Sequence, residues 1–283
     1  MSKQYSYDLR EFQFHCTKVL DVIDKVCHEH GLTYYIIAGT LLGAVRHRGF
    51  IPWDDDIDIA LYRKDYDMLL AHAEEWLPEN YNIITSDKDI RYPKYFAKIE
   101  DTNTTLVENF NLGYIGGIYV DIFPLDDVPN NKLLRNIHYR KFHFYRKLQY
   151  YAYRNPYKHG KGAGAIFMAL FQKILSKKSL HKAMQRVITE YHEHADCDYV
   201  MTHDDGTCAY PKSCLQAPRK YFFENKEFDG PTDANIFLSS YYGKDYMQLP
   251  PVEKRRSHFH DYCNLKNGYK GTNINDLKNA YLR

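Results

Sequence analysis

The chain has 283 residues, of which 44% are hydrophobic and 26% charged, and its formal net charge is +2. This composition is that of an ordinary globular protein with ample material for a core. The small net charge argues against a polyanion such as nucleic acid as a general partner, and no apolar run reaches the roughly 18 residues that a membrane span requires.

The N-terminal part predicts a helix, a strand and a second helix. The first eight residues, MSKQYSYD, lack the apolar segment of a signal peptide, so we expect a cytoplasmic protein, free or at the inner face of the membrane. Apolar residues recur at helical spacing from Tyr7 to His30, and Leu32–Ile37 is typical of a buried strand. Gly39 and Thr40 then turn the chain into a short helix, Leu41–Arg46. Backbone N–H groups at the start of that helix would be ready to bind phosphate.

Polar and apolar residues alternate in the stretch Asp56-Ile57-Asp58-Ile59. As a β-strand, it would place both carboxylates on one face, where they repel each other unless a cation lies between them. Oxygen ligands on one rigid edge suit Mg²⁺ or Mn²⁺. A charged surface turn is the alternative interpretation, because acidic runs such as residues 54–56 are often solvated.

Three basic residues are candidates for phosphate binding. Arg46 and His47 could add positive charge near the carboxylates, or they could form a solvated helix end. Lys98 alternates with apolar neighbours on a predicted strand over Tyr95–Ile99, so it either reaches solvent or contacts a phosphate.

A single acid lies within the next predicted strand, Ile118–Phe123. This residue, Asp121, would be costly to bury unless it is paired or bound to a metal. Asp126 and Asp127 follow Pro124, where we expect a loop and a solvated role for both.

The sequence from Asn131 to His194 predicts a helical insertion. Basic and aromatic residues interleave there, as they do in surfaces that bind nucleic acid or anionic lipid. A solvated helix face is the more common explanation of that pattern. Farther on, a cluster of metal-ligating residue types makes a zinc site conceivable, although the spacing matches no standard pattern. Its members are His192, His194, Cys197, His203, Cys208 and Cys214.

The run GTLLGAVRHRGFIPWDDDIDIAL, from Gly39 to Leu61, closely resembles the signature of the LicD family of phosphocholine and polyol-phosphate transferases. Relatives of that family include fukutin and fukutin-related protein. The resemblance continues in KYFAKIEDTNTT (Lys94–Thr105), GIYVDIFPLDDVP (Gly117–Pro129) and YYGKDYMQLPPVEKRRSH (Tyr241–His258).

This resemblance implies an α/β fold, with a small mixed sheet of nucleotidyltransferase type flanked by helices. We expect a catalytic core over residues 1–130, a mainly helical insertion over 131–210, and a C-terminal segment over 211–283 that packs on the core. Asp56, Asp58 and Asp121 are the implied catalytic carboxylates, and they would bind Mg²⁺ or Mn²⁺. The implied substrate-binding residues are Gly39, Thr40, Arg46, His47, Lys98 and His258.

The implied reaction is transfer of phosphocholine from CDP-choline to a hydroxyl of a glycan or glycolipid precursor, such as lipopolysaccharide or teichoic acid, with release of CMP. The 27 tyrosines serve mainly in packing, but a few rings could form a box for a quaternary ammonium. Two alternatives remain open. One is a nucleotidyltransferase acting on a small hydroxylated molecule, and the other is a non-catalytic scaffold that binds glycan or membrane through the region Arg135–Lys161.

Overall fold

A computed structural model describes residues 7–157, 162–192, 194, 196–204, 206–255 and 257–281. Its helices are α1 (Leu9–Glu29), α2 (Ala38–His47), α3 (Arg63–Trp76), α4 (Lys132–Tyr153), α5 (Ala163–Ile174), α6 (Lys177–Ile188), α7 (Ala234–Tyr242) and α8 (Ile274–Tyr281). Its strands are β1 (Tyr34–Ile36), β2 (Asp58–Tyr62), β3 (Tyr81–Ile84), β4 (Ala97–Val107), β5 (Gly116–Val128), β6 (Tyr199–Met201), β7 (Tyr210–Pro211), β8 (Arg219–Phe223), β9 (Lys226–Gly230) and β10 (Tyr262–Asn264).

A mixed sheet forms the centre of the fold, with strand order β1-β2-β5-β4-β10. β2 and β5 run parallel, whereas the other neighbours on this path are antiparallel. β3 also pairs with β4, β6 pairs with the end of β5, and β7 pairs with β6. A separate hairpin joins β8 to β9. The predicted fold class, a mixed sheet flanked by helices, is confirmed.

Helix α1 covers the sheet, as its apolar spacing predicts. The Asp8 carboxylate accepts a hydrogen bond from the Glu11 N–H at 2.8 Å and caps the helix start. The buried residues recur every three or four positions and contribute to the main core. They include Phe12, Cys16, Val19, Leu20 and Ile23.

The second helix begins earlier than the sequence predicts. β1 ends at Ile36 and α2 starts at Ala38, so Gly39 and Thr40 lie inside its first turn instead of preceding it. The chain therefore passes from strand to helix within one residue, Ile37, which has an extended conformation. Asp56 lies just before β2, and Asp58 is the first residue of that strand.

The prediction of a loop after Pro124 is wrong, because β5 continues to Val128. β4 pairs with β5 only as far as Ile122, and β6 pairs from Asp126 onward. Pro124 therefore occupies a stretch of β5 that is paired with β2 alone, where the missing N–H of proline is tolerated.

The predicted insertion is helical up to Ile188, where α6 ends. The segment then returns to the sheet through β6, whose residues pair with residues 126–128 of β5. The domain boundaries at 130 and 210 stay predictions. Lys161, at the end of the predicted basic and aromatic region, lies outside the described residues. Of the helices that the structure describes, none is both long enough and apolar enough to cross a membrane.

Candidate active site

A cavity of about 510 Å³ opens where the first turn of α2, the residues before β2, the middle of β5 and the C-terminal segment meet. Carboxylates dominate its wall, and cationic or imidazole groups are interspersed. The acids are Asp54, Asp56, Asp58, Glu108, Asp121 and Asp204, and the basic groups are Lys94, His258 and His260.

The parallel pairing of β2 with β5 brings two predicted carboxylates together. Asp58 and Asp121 are register partners, so their side chains leave the sheet on the same face at neighbouring positions. The Asp58 N–H donates to the Thr40 hydroxyl at 2.9 Å, and the Asp121 N–H donates to the Ile57 carbonyl at 2.9 Å. These bonds fix the start of β2 against both α2 and β5.

The candidate metal ligands that lie closest together form a different set from the predicted one. One ligand atom each from Asp54, Asp55, Asp56 and His258 lie within 4.8 Å of one another. His258 Nδ1 is 3.1 Å from Asp55 Oδ1 and 3.4 Å from Asp56 Oδ2. Asp55 is buried and also accepts hydrogen bonds from the backbone N–H groups of His258 and Phe259. Asp55 therefore anchors the C-terminal segment, while Asp54 and Asp56 face the cavity.

Burial and mutual repulsion raise the pKa values of several of these acids. Burial, and then the charges of Asp56 and Asp55, raise the pKa of Asp54 to about 8. The pKa of Asp56 is raised mainly by burial. Burial also raises the pKa of Asp121 to about 6, although Lys98 opposes the shift. The hydrogen bond to Asp55 raises the pKa of His258 to about 9, so this imidazole is protonated at neutral pH.

The expectation that Lys98 reaches solvent is wrong. Its side chain is 1% exposed and is enclosed between two carboxylates, 2.6 Å from Glu108 Oε1 and 3.5 Å from Asp121 Oδ1. Its ammonium also lies 3.2 Å from the centre of the Tyr119 ring. Burial alone would lower the pKa of Lys98, but the charges of Asp121 and Glu108 outweigh it and raise the pKa. Contact with a phosphate stays a prediction for Lys98, and its observed partners are carboxylates.

The donor set of the cavity fits a hard divalent cation. Asp121 Oδ1 is buried without a hydrogen-bond partner, although Lys98 lies 3.5 Å away. Burial is the main cause of the raised pKa values of Asp54, Asp56 and Asp121, so a cation beside them would stabilise their ionised forms. Carboxylate oxygens are the ligands that Mg²⁺ and Mn²⁺ prefer.

The other predicted substrate-binding residues separate into two groups. Gly39 lines the cavity, and a Cβ there would lie 2.7 Å from Asp54 Oδ2, so the glycine lets this carboxylate approach the helix start. Thr40 is buried and holds Asp58. Arg46 and His47 lie at the other end of α2, outside the cavity lining, where the Arg46 guanidinium donates to the Tyr246 carbonyl at 2.9 Å. Binding of substrate by Arg46 and His47 therefore stays a prediction that the geometry does not support.

The histidines and cysteines of the conceivable zinc site are dispersed. Within the part of the chain that the structure describes, no three of them bring ligand atoms within 4.8 Å of one another. His203 Nε2 is 2.8 Å from His138 Nε2, and the Cys208 thiol donates to the Ser240 carbonyl at 3.2 Å.

The sequence alone does not identify several residues of the candidate active site. Asp54 and Asp55 stand beside Asp56 in the chain, but their roles depend on His258, about two hundred positions away. Glu108 follows the end of β4, and the sequence does not show that it contacts Lys98, which lies near the other end of that strand. An aromatic wall is also assembled from distant segments, and it consists of Phe96, Tyr119, Phe123, Tyr241, Tyr242 and Phe259.

Comparison with known proteins gives a consistent set of matches. Residues 31–158 match the family described as LicD/FKTN/FKRP, nucleotidyltransferase domain. The lipopolysaccharide cholinephosphotransferase LicD of Haemophilus influenzae is 30% identical over 262 residues, which cover 88% of this chain and 95% of that protein.

Two mammalian proteins match shorter segments. The mouse ribitol-5-phosphate transferase FKTN is 28% identical over 97 residues, covering 34% of this chain and 18% of that protein. The human ribitol 5-phosphate transferase FKRP is 49% identical over 35 residues, covering 12% of this chain and 7% of that protein.

Proposed function

The chain belongs to the LicD, FKTN and FKRP family of transferases, and from this premise we propose that it moves phosphocholine from CDP-choline to a hydroxyl of a cell-surface glycan or glycolipid precursor. The observation that supports the proposal most is the shared cavity of Asp56, Asp58 and Asp121, in which β2 and β5 place two of the acids side by side. Family membership makes the protein a transferase of phospho-alcohol groups, whereas the choice of donor and acceptor is proposed.

Asp56, Asp58 and Asp121 would hold one or two Mg²⁺ or Mn²⁺ ions. A bound ion supplies charge stabilisation for the phosphate oxygens of the donor and for the departing CMP. Burial is the main cause of the raised pKa of Asp54 and the charge of Asp56 is the next, so a cation beside Asp56 would offset only the second contribution.

Groups of the chain itself favour the binding of phosphate in the cavity. Ala38 and Gly39, in the first turn of α2, line the same cavity, and N–H groups at the start of a helix lack acceptors within the helix. His258 also lines the cavity, and its hydrogen bond to Asp55 raises its pKa. Together these groups favour binding of the donor's diphosphate.

In the proposed transfer, the acceptor hydroxyl oxygen forms a bond to the phosphorus that carries choline. The bond from that phosphorus to the bridging oxygen breaks, and CMP leaves with the electron pair. Asp121 has two proposed roles, as a ligand of the ion or as the acceptor of the hydroxyl proton. Its pKa of about 6 leaves the carboxylate ionised at neutral pH, as a proton acceptor must be.

The aromatic wall supports choline as the transferred alcohol. Tyr241 and Tyr242 line the cavity and place their ring centres 4.4 Å apart at 64°. Ring faces attract a quaternary ammonium, whereas glycerol and ribitol carry no positive charge.

The test is CMP release from CDP-choline, CDP-glycerol and CDP-ribitol in the presence of Mg²⁺ and a lipopolysaccharide acceptor. We expect CDP-choline to react fastest and Asp56→Ala to abolish release. Asp67→Ala is the matched control, because this exposed acid lies on α3 away from the cavity. Release of pyrophosphate from a nucleoside triphosphate, with a nucleotide added to the acceptor, would instead identify a nucleotidyltransferase.

A further inference from the structure

The charge of the chain is concentrated in one segment. Residues 128–189 contain 14 Lys and Arg residues and no Asp or Glu, whereas the rest of the chain has 24 Lys and Arg against 36 Asp and Glu. This segment comprises α4, α5 and α6. Two of its cations form ion pairs with acids outside it, Lys141 with Glu190 at 2.7 Å and Arg146 with Asp204 at 2.9 Å. A net charge of +2 thus conceals a strongly basic helical segment on an acidic protein.

An apolar helix face is exposed within this basic segment. All twelve residues of α5 lie in the described part of the chain, and none of them is buried. The exposed fractions are 52% for Ile166, 69% for Phe167, 55% for Leu170 and 81% for Ile174. At about 100° per residue, these four side chains fall within an arc of about 100° on the helix.

The opposite side of α5 is the one attached to the protein. Gln172 Nε2 donates to the Tyr151 carbonyl at 2.7 Å and to the Arg154 carbonyl at 2.6 Å, both at the end of α4. Gln172 lies roughly 160° from Ile174 around the helix. The apolar face therefore points away from α4.

We propose that α5 docks this protein on an anionic lipid surface, with the face of Ile166, Phe167, Leu170 and Ile174 inserted at the interface. Lys173 lies beside the apolar face on α5, and Lys177 and Lys178 begin α6 three residues after α5 ends. Apolar residues flanked by lysines are the pattern of a helix that lies in the plane of an anionic membrane. The helix is about 18 Å long, which is too short to span a bilayer of about 30 Å.

A nucleic acid explains the charge but not the apolar face. Phosphate backbones bind lysine and arginine, and stacked bases need aromatic rings, whereas three of the four exposed residues are aliphatic. A lipid interface accounts for both features, because acyl chains receive the aliphatic side chains and anionic headgroups receive the lysines.

The part of α4 to which α5 is attached lies beside the candidate active site. A second cavity of about 340 Å³ is lined by Arg146, Tyr150 and Arg154 of the α4 region together with Lys94, Asn109 and Leu112. The last three residues also line the main cavity. Docking of α5 on a lipid surface would thus bring a lipid-linked molecule near the carboxylates of the main cavity.

The test is co-sedimentation of the full chain with vesicles of phosphatidylcholine alone or mixed with phosphatidylglycerol. We expect binding to the anionic vesicles only, weakened by salt. The double variant Phe167→Ser with Leu170→Ser should weaken binding about tenfold or more, because both side chains would lose their contact with lipid. Phe14→Ser is the matched control, since Phe14 is 56% exposed on α1 and lies outside the basic segment. None of these three side chains is buried, so the melting temperature checks that the variants fold.

Two results would overturn the proposal. One is that the anionic vesicles do not bind the protein, or bind the double variant as well as the wild type. The other is that RNA competes fully with the vesicles while the double variant binds RNA and vesicles unchanged, which would show a general polyanion surface. Asp58→Asn should bind vesicles normally, so a failure of the proposed transfer reaction is distinguishable from a failure of docking.

Discussion

The position of Asp58 explains why one residue can control the proposed chemistry. It begins β2, its N–H is held by Thr40, and it stands beside Asp121 across the parallel pair of strands. We predict that Asp58→Asn lowers CMP release about a hundredfold or more without unfolding the protein, because the amide keeps the shape but loses the negative charge. Steady-state CMP release and the melting temperature measure the two effects.

Asp127→Asn is the control for this substitution. Asp127 lies on β5 outside the cavity lining and pairs with Lys212 at 2.7 Å. It should keep nearly the wild-type rate. A wild-type rate in Asp58→Asn would remove this carboxylate from the mechanism.

The buried ion pair of Asp126 leads to the strongest prediction about the effect of a single substitution on stability. Its carboxylate is fully buried and accepts two hydrogen bonds from the Arg63 guanidinium, at 2.7 and 2.6 Å. Asp126→Asn would leave the buried Arg63 charge with only its 3.3 Å contact to the exposed Asp67, so we expect the free energy of unfolding to fall by about 3 kcal/mol. Urea denaturation measures this loss.

The neighbouring Asp127 is again the comparison. Its ion pair with Lys212 is partly solvated, so Asp127→Asn should cost less than about 1 kcal/mol. If Asp126→Asn and Asp127→Asn lowered the free energy of unfolding equally, the buried pair with Arg63 would contribute no more to stability than the partly solvated pair with Lys212.

Single residues also show where sequence reasoning reaches its limit. Local alternation identified Asp121 as an acid within a buried strand, because an isolated charge in an apolar run stands out. The same reasoning left Lys98 open between solvent and a phosphate and expected Asp126 to be solvated, because it could not reveal their partners, Glu108 and Arg63. Burial of a charged residue depends on a partner that periodicity cannot reveal.

At the scale of elements, the junction between α2 and β2 sets the geometry of the site. The Thr40 hydroxyl, in the first turn of α2, accepts the Asp58 N–H at 2.9 Å. We predict that Thr40→Val lowers the free energy of unfolding by about 1 kcal/mol and reduces kcat more than it changes KM, because Asp58 loses its fixed position. Thr40→Ser retains the hydroxyl and should restore most of the activity.

Urea denaturation and the kinetics of CMP release test both parts of this prediction. If Thr40→Val and Thr40→Ser behaved alike, the hydroxyl would have no role in positioning Asp58.

The sequence predicts some helices and strands more accurately than others. The long amphipathic helix α1 follows from its local pattern alone. The full length of β5 does not, because Pro124 signals an interruption when read locally. Only the pairing pattern, with β2 alone beside that residue, shows why the strand continues.

At the scale of the whole molecule, buried histidines of the helical segment link stability to pH. Burial lowers the pKa of His181 to about 4, and it also lowers the pKa values of His138 and His203. The ordinary pKa is about 6.5, so His181 binds more protons in the unfolded chain than in the folded protein between pH 6.5 and pH 4. Its contribution to stability is therefore fully present above pH 6.5, and it is lost as the pH falls through that window.

We predict that His181 makes the free energy of unfolding fall by up to about 1.4 kcal/mol per pH unit across this window. His181→Gln should make the pH dependence shallower, because glutamine can still pair with Gln149 or Tyr153 but does not titrate in this range. Urea denaturation at pH 7.5, 6.5, 5.5 and 4.5 provides the measurement. An identical slope in wild type and variant would exclude His181 as a contributor.

The sequence specified the fold class and the family because the signature from Gly39 to Leu61 is long and local. It did not specify the cavity, which draws residues from both ends of the chain, such as Asp54 and His258. The basic segment and the acidic remainder can be counted in the sequence, but only the structure shows an exposed apolar helix face within the basic segment. Contacts between distant residues are what the structure adds.

The most direct test of the proposed site is to locate a bound divalent ion by anomalous diffraction from crystals soaked in Mn²⁺, with and without CDP-choline. We predict a peak within about 2.5 Å of carboxylate oxygens of Asp56, Asp58 and Asp121, and its loss in Asp58→Asn. A peak held only by Asp54, Asp55 and His258, or CMP release that proceeds unchanged in excess EDTA, would contradict the proposal.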